Sequence, residues 1–293
     1  MVLAHDHAVA HIRALRSMGL AARRKRVSRQ QQPDAIRLEY AKALAPSCDL
    51  ARQELEAVLP EVLHLLEQER LAQGRTDAPG GRFTRAAKEL IAKAAKAFAA
   101  KWRPEELIDL PKFFRRTSYF QRLQLDQQIR DAIGVSLPMI ERESTSKIVE
   151  WVRWNVDLIK TIPVRYFKRV EALVIDAFDG GTHPNTLARE IAARHGMAID
   201  DARRIARDQI GKLAGDLNQE RQERLGVTGY IWRTANDNRV RDSHFELEGQ
   251  RCTWDDPPWG GGTHDTERGH PGSGIQCRCF GEPDFAPLLK SLR

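Results

Sequence analysis

The sequence predicts a mainly α protein: an elongated helical body with a small, irregular α+β cap at its C-terminal end, rich in Gly, Cys and His. Three observations predict it. Apolar residues recur at three- and four-residue spacing from about residue 35 to about 225, the mark of amphipathic helices. At Gly226 the pattern changes to a short alternating run over 229–234 that carries Tyr230, Ile231 and Trp232 and reads as a strand. Beyond it, Gly, Pro, Trp, His and Cys crowd together so densely that no helix can continue. Specific contacts must fix the shape there.

The elements follow in order. Residues 35–73 read as helix through Ile36, Leu38, Leu44, Leu55, Val62, Leu66 and Leu71. Pro46-Ser47 is expected to break this stretch and Pro60 to kink its second part. Residues 74–81 are a turn-rich connector. Residues 82–103 form an amphipathic helix, with Phe83, Leu90, Ile91, Ala94, Phe98 and Trp102 on the apolar side and the lysines mainly opposite. Helices are predicted over 112–133, 140–160 and 164–179, the last ended by Gly180-Gly181. Pro184 opens a short helix that Gly196 stops. Asp200 then caps a long helix that runs to Leu225 and ends at Gly226. This divides the chain into a helical arm with a basic segment (1–75), an amphipathic helical region (76–163) and a C-terminal domain (164–293). The last comprises helices over 164–225 and the cap over 228–285.

At 293 residues the chain can bury one large or two modest cores. With 30% charged residues and a mean hydropathy of −0.52 it reads as soluble, and no apolar run approaches the ~20 residues that span a bilayer. The N-terminal residues lack a secretory pattern and read as a soluble helical arm. The net charge of +7 is unevenly spread. Residues 1–33 carry seven Arg and Lys against Asp6, and 82–103 carry seven against Glu89, so each is +6. Residues 236–285 hold five Arg against ten acids, or −5. The candidate nucleic-acid contacts are therefore Arg23, Arg24, Lys25, Arg26, Lys88, Lys93, Lys96 and Lys101, not the acidic cap.

Cys277-Arg278-Cys279 is the most metal-like feature. His244, Cys252, His264 and His270 lie near it in sequence, and thiolate and imidazole ligands suit tetrahedral zinc. Zinc would also explain how a Gly/Pro-rich acidic segment stays folded. The alternatives are a pair of free thiols, one buried and one exposed, in a module held by Trp232, Trp254 and Trp259, or a disulfide. Cys48 stands apart as a small core residue. Asp237 and Asn238 suit a turn after the strand. Arg239 and Arg241 would lie on one face of an extended segment, able to pair with Glu246, Glu248 or Asp208; the alternative is contact with phosphate or DNA. Residues 255–274 read as a flexible surface loop. Walker and His-Glu-x-x-His sequences are absent, and no catalytic set stands out.

The run from Trp232 through Asp237-Asn238-Arg239-Val240-Arg241, His244, Leu247-Glu248-Gly249, Pro271-Gly272 and Cys277-Arg278-Cys279 to Pro283 resembles the phage Mu F-like minor head proteins, the head-morphogenesis family of tailed bacteriophages. Arg207 and Asp208, on the helix that leads in, belong to the same pattern, and the resemblance covers roughly 165 to 285. It implies a structural role in procapsid assembly and a place in the virion, in the head interior or portal region, after assembly in the host cytoplasm. The partners it implies are the portal or major capsid protein and packaged double-stranded DNA, bound without sequence preference, with no membrane. The alternative function is a zinc-dependent nuclease or hydrolase built on His244, His270, Cys277 and Cys279, with Glu246 or Asp265 as general base.

Overall fold

The computed structural model describes residues 27–72, 82–134 and 145–291, together with Ala10 and Arg13. The basic cluster at 23–26, the connector at 74–81 and the stretch 140–144 lie outside the described residues. The protein is mainly α. Its elements are α1 (Asp34–Glu56), α2 (Leu59–Ala72), α3 (Arg82–Lys101), α4 (Pro104–Leu107), α5 (Leu110–Ile133), α6 (Thr145–Asp179) and α7 (Pro184–Arg224). The cap follows with β1 (Gly229–Arg233), α8 (Asp242–Glu246), β2 (Arg251–Thr253), β3 (Phe280–Pro283) and α9 (Ala286–Ser291).

Contacts divide the chain into two units that cut across chain order. One gathers the chain up to Arg37, Pro111–Ile148 and Arg207–Arg293; the other holds Leu38–Leu110 and Val149–Ala206. Among the described residues, the regular elements of the second unit are all helices. Its core includes Tyr40, Leu44, Leu66, Tyr166, Val170 and Leu187, all buried. Two polar contacts sit inside it and are satisfied: Tyr40 donates its hydroxyl to Asn155 at 2.8 Å, and Arg169 pairs with buried Asp201 at 2.7 Å. Cys48 is buried here as the small core residue the sequence suggests, and burial pushes its thiol up to about 11.

Three expected helix breaks are not breaks. Pro46 lies inside α1, exposed, so Lys42 loses one amide partner while the helix carries on. Pro163 lies inside α6, where buried Ile159, Ile162, Tyr166 and Phe167 hold the turn on both sides of it. Gly196 and Asp200 are interior residues of α7, and Asp200 pairs with Arg203 at 2.9 Å rather than capping a new helix. Local propensity argued for stops, but burial on either side outweighs a local cost of about 1 to 3 kcal/mol. Pro60 does not kink α2; it sits in the first turn, where its missing N–H is harmless. The left-handed stops do occur where expected, at Gly181 (φ 61°) and Gly226 (φ 74°).

The other unit packs α5 and the C-terminal half of α7 against the cap. Residues 28–32 run between them without regular structure. The Ser28 amide donates to Asp131 of α5 at 2.9 Å, Gln30 to Gln121 at 2.8 Å, and Gln32 to the carbonyl of Arg278 at 2.7 Å. Arg221 of α7 reaches back to α5, donating to the Ser118 carbonyl at 2.9 Å and its hydroxyl at 2.6 Å. Among the described residues no helix is long and apolar enough to cross a membrane.

Because Pro46 and Gly196 are exposed helix-interior residues, replacing each with alanine should stabilise the protein. Pro46→Ala restores a donor and should add about 1 to 3 kcal/mol, and Gly196→Ala, which meets nothing within 4 Å, about 0.5 to 1 kcal/mol. Chemical denaturation of the two variants checks this. A loss of stability in either would mean that helix is interrupted there.

Candidate functional site

The cap is built around β1. It is the central strand of a three-stranded antiparallel sheet in the order β2-β1-β3, with Tyr230 opposite Cys252 on one side and Trp232 opposite Gly281 on the other. Alternation places Tyr230 and Trp232 on one face, both fully buried. Tyr230 stacks on Trp254 with centroids 4.1 Å apart, and Trp232 meets the His244 ring edge-on at 5.4 Å. On the other face, Arg233 holds Glu282 with two bonds of 3.0 and 3.1 Å and reaches Glu248 at 3.4 Å. Glu248 in turn accepts from the Thr234 amide at 2.6 Å and hydroxyl at 2.8 Å. Thus Glu248 closes the cap near the end of β1 and does not serve Arg239 or Arg241.

The motif residues each do a traceable job. Asp237 accepts the Arg239 amide at 3.0 Å, the turn its position suggests, and takes a two-pronged ion pair from Arg278. That pair is the first cause holding the Asp237 carboxyl below the usual carboxylate range. Residues 239–241 are not an extended strand: Arg239 stays beside Asp237 at 3.9 Å, and Arg241 donates to the Ile275 carbonyl at 2.5 Å. Gly249 has φ 78° and donates its amide to Trp232 O at 2.8 Å, ending the turn that leads to β2. Asp208 of α7 accepts the amide of Gln276 at 2.7 Å and pairs with Lys212 at 3.0 Å. Gln276 has φ 58°, so Asp208 pins a left-handed residue directly before Cys277. Pro283 pairs with Tyr230, and Arg207 is exposed on α7.

The six candidate metal ligands separate, and His264 is exposed. His244, Cys277 and Cys279 are all buried, and their ligand atoms lie within 4.8 Å of one another; no other such group of three occurs among the described residues. His244 Nδ1 is 3.5 Å from Cys277 Sγ and 3.4 Å from Cys279 Sγ, and its Nε2 is 2.9 Å from Gly262 O. Burial pulls the His244 pKa down, but its bonds to Cys277 and Gly262 outweigh this and leave it raised. Hydrogen bonding to Cys279 holds the Cys277 thiol well below the ordinary cysteine value, and the same contact, with burial, pushes Cys279 up. Cys252 and His270 stand elsewhere, on the Tyr230 side: Tyr230 Oη is 3.1 Å from His270 Nδ1, and burial lowers His270 and raises Cys252. All four cysteines are free, so the disulfide reading does not hold.

Sequence reasoning missed how tightly the 255–274 segment packs. Gly260, Gly261, Gly262, Gly269 and Gly274 are buried, not parts of a loose surface loop. A Cβ on Gly261 would lie 2.1 Å from Gly269 O and 3.1 Å from the Trp232 ring. Trp259 does not help hold the module: it is 63% exposed and lies against Arg268 at 5.1 Å. Also missed were Gly211 and Gly215 of α7. A Cβ on Gly215 would be 3.0 Å from Pro271 O, and one on Gly211 would be 3.6 Å from Cys277 O. Two turns further along the same helix, Asn218 and Gln222 both donate to Gly281 O at 2.8 Å. The signal was present as glycines spaced by four on an otherwise strong helix.

Residues 168–281 match the model of the Phage Mu protein F like family, and the matched span closes on the Cys/His cap. This segment belongs to that family. The Mu F-like span agrees with the stretch of about 165 to 285 marked by its motifs. Phage head morphogenesis is the role the family suggests. The chain is also similar to a protein of Haemophilus influenzae named only as uncharacterized, 32% identical over 174 residues. That match covers 58% of this chain and 37% of the relative, so the chain spans little more than a third of the relative's length. No solved structure matches.

Of the basic candidates on α3, Lys88 pairs with Glu171 at 3.5 Å and Lys101 with Glu54 at 2.5 Å, while Lys93 and Lys96 are exposed. The four at 23–26 lie outside the described residues.

Gly261→Ala should destabilise the Mu F-like cap by about 2 to 3 kcal/mol, since backbone rather than a flexible side chain blocks the new methyl. Near-ultraviolet circular dichroism of the buried tryptophans during denaturation reads this out. A neutral result would mean the 261–269 backbones do not approach as closely as described.

Proposed function

We propose that this chain is a minor head component of a tailed bacteriophage, present in few copies, that acts in procapsid assembly near the portal and the packaged DNA. The observation that carries the reading is the family match over 168–281, with the motif residues from Trp232 to Pro283 gathered into one cap. Two surface features support it. Helix α6 leaves Val149, Trp154 and Val164 exposed, an apolar surface suited to a protein partner such as the portal or major capsid protein. The cap exposes Phe245, Trp259 and Ile275 on a frame held by buried rings and backbone bonds, which suits a rigid recognition unit.

Exposed Lys93 and Lys96 fit contact with packaged double-stranded DNA through phosphates, without sequence preference and with strong salt sensitivity. The chain would then reside in the virion after assembling in the host cytoplasm. Its work would be structural. The buried His244, Cys277 and Cys279 offer a substrate no open approach, so the hydrolase alternative has no geometric support.

The test is to co-express the chain with the portal and major capsid proteins of its own phage, purify the particles on a gradient and quantify each protein by mass spectrometry. The expected result is a particle-bound chain far below the capsid protein in copy number, with Trp154→Asp reducing incorporation. Particles of normal composition that lack the chain would overturn the reading.

A further inference from the structure

Two sulfurs in the cap share one nitrogen. Cys277 Sγ and Cys279 Sγ lie 3.5 and 3.4 Å from the same atom, His244 Nδ1. The far side of that ring faces Gly262 O at 2.9 Å, and a carbonyl can only accept, so Nε2 carries the hydrogen and Nδ1 the lone pair. One lone pair can receive one thiol proton, not two. A tetrahedral zinc ion, with Zn–S of about 2.3 Å and Zn–N of about 2.0 Å, separates its sulfur and nitrogen donors by about 3.5 Å. That is close to the spacing found. We propose that His244 Nδ1, Cys277 Sγ and Cys279 Sγ bind one zinc ion that staples the cap.

The surroundings suit the ion. The Gly262 carbonyl fixes the imidazole tautomer and orientation, as outer partners of metal-bound histidines do. The Cys279 amide points at Cys277 Sγ at 3.4 Å and favours that sulfur as a thiolate. On binding, each thiol loses its proton to solvent, two Zn–S bonds and one Zn–N bond form, and no electron changes hands. The two thiolates cancel the charge of the ion, so the buried site is neutral overall. One non-protein donor, such as water, completes the tetrahedron.

The architecture has a use for such a crosslink. His244 sits on α8, and its two partners lie 33 and 35 residues further along the chain. Most of the intervening chain is glycine, proline and polar residues, with Trp254 as its main buried apolar side chain. Zinc would close this loop at its neck, beside Trp232. Cys252 and His270 are not ligands, because they face Tyr230. The inference does not depend on the head role: absence of the chain from phage particles would leave it intact.

The experiment uses the full chain, purified under reducing conditions, stripped with chelator and titrated with cobalt(II). The expected result is one equivalent bound, with a thiolate-to-cobalt charge-transfer band in the near ultraviolet and intense visible bands, all bleached by an equivalent of zinc. Cys252→Ser and His270→Gln should retain the spectrum; Cys277→Ser and Cys279→Ser should lose it. Should the serine variants fail to fold, the unaltered chain still decides: chelated protein should melt roughly 10 °C lower than zinc-loaded protein. No charge-transfer band, or a melt indifferent to zinc, would overturn the proposal. So would a spectrum that survives in Cys277→Ser and vanishes in Cys252→Ser.

Discussion

The cap depends on one close approach: its backbone lies directly on the C-terminal half of α7. Gly215 removes the side chain that would hold it off, and the Pro271 carbonyl and Gly272 take up the space, while Gly211 leaves room for the Arg37 guanidinium and lies in ordinary contact with the Cys277 carbonyl. Asn218 and Gln222, further along the same helix, then fasten the cap by the carbonyl of Gly281 in β3. The cap has little periodic apolar surface to bury, so it cannot dock as a helix or a sandwich sheet docks. It docks by backbone contact, which only glycine permits at such range. Asp208, one turn before Gly211, uses the same proximity to hold Gln276 in its left-handed conformation and so sets where Cys277 begins.

From that contact the rest of the cap follows. With β3 fixed on α7, β1 pairs beside it and carries Tyr230 and Trp232 into the interior. Their rings form a wall: Trp254 and His270 pack on Tyr230, and His244 packs on Trp232. The wall divides the polar residues of the cap into two groups. His244 falls with Cys277 and Cys279, whereas His270 falls with Cys252. Five residues that look equivalent in sequence are therefore made inequivalent by which of two neighbouring rings on one face of β1 they lie beside.

Much of this was legible in the sequence, for definite reasons. The mainly α class, the amphipathic face of α3, the strand at Trp232 and the stops at Gly181 and Gly226 each rest on a local signal that the fold keeps. The turn at Asp237 was legible for the same reason, since its carboxylate bonds its own backbone. The misreadings have a common origin. Pro46, Pro163 and Gly196 are local stop signals overruled by burial in the turns on either side, which no local window contains. Arg239 and Arg241 were given the wrong partners because the segment turns instead of extending, and Glu248 is already taken by Arg233 and Thr234. The glycines of 260–274 looked like slack because a glycine's function at a close approach lies in what touches it, and that partner is remote in sequence.

The division of labour along α7 links the fold to the proposed function. Its first half, to Ala206, belongs to the helical unit, where Asp201 is held by Arg169 and Arg204. Its second half, from Arg207, belongs to the unit that carries the cap. The family segment begins at residue 168 in α6, runs through all of α7 and ends at 281 in β3, so it spans parts of both units. The matched span thus covers more than the Cys/His cap: it takes in the cap together with the helix on which it is seated. Under the proposed head role, the cap would serve as the recognition surface and the helical unit would engage a different partner. Within the cap, His244, Cys277 and Cys279 face one another in the interior, with His244 against Trp232.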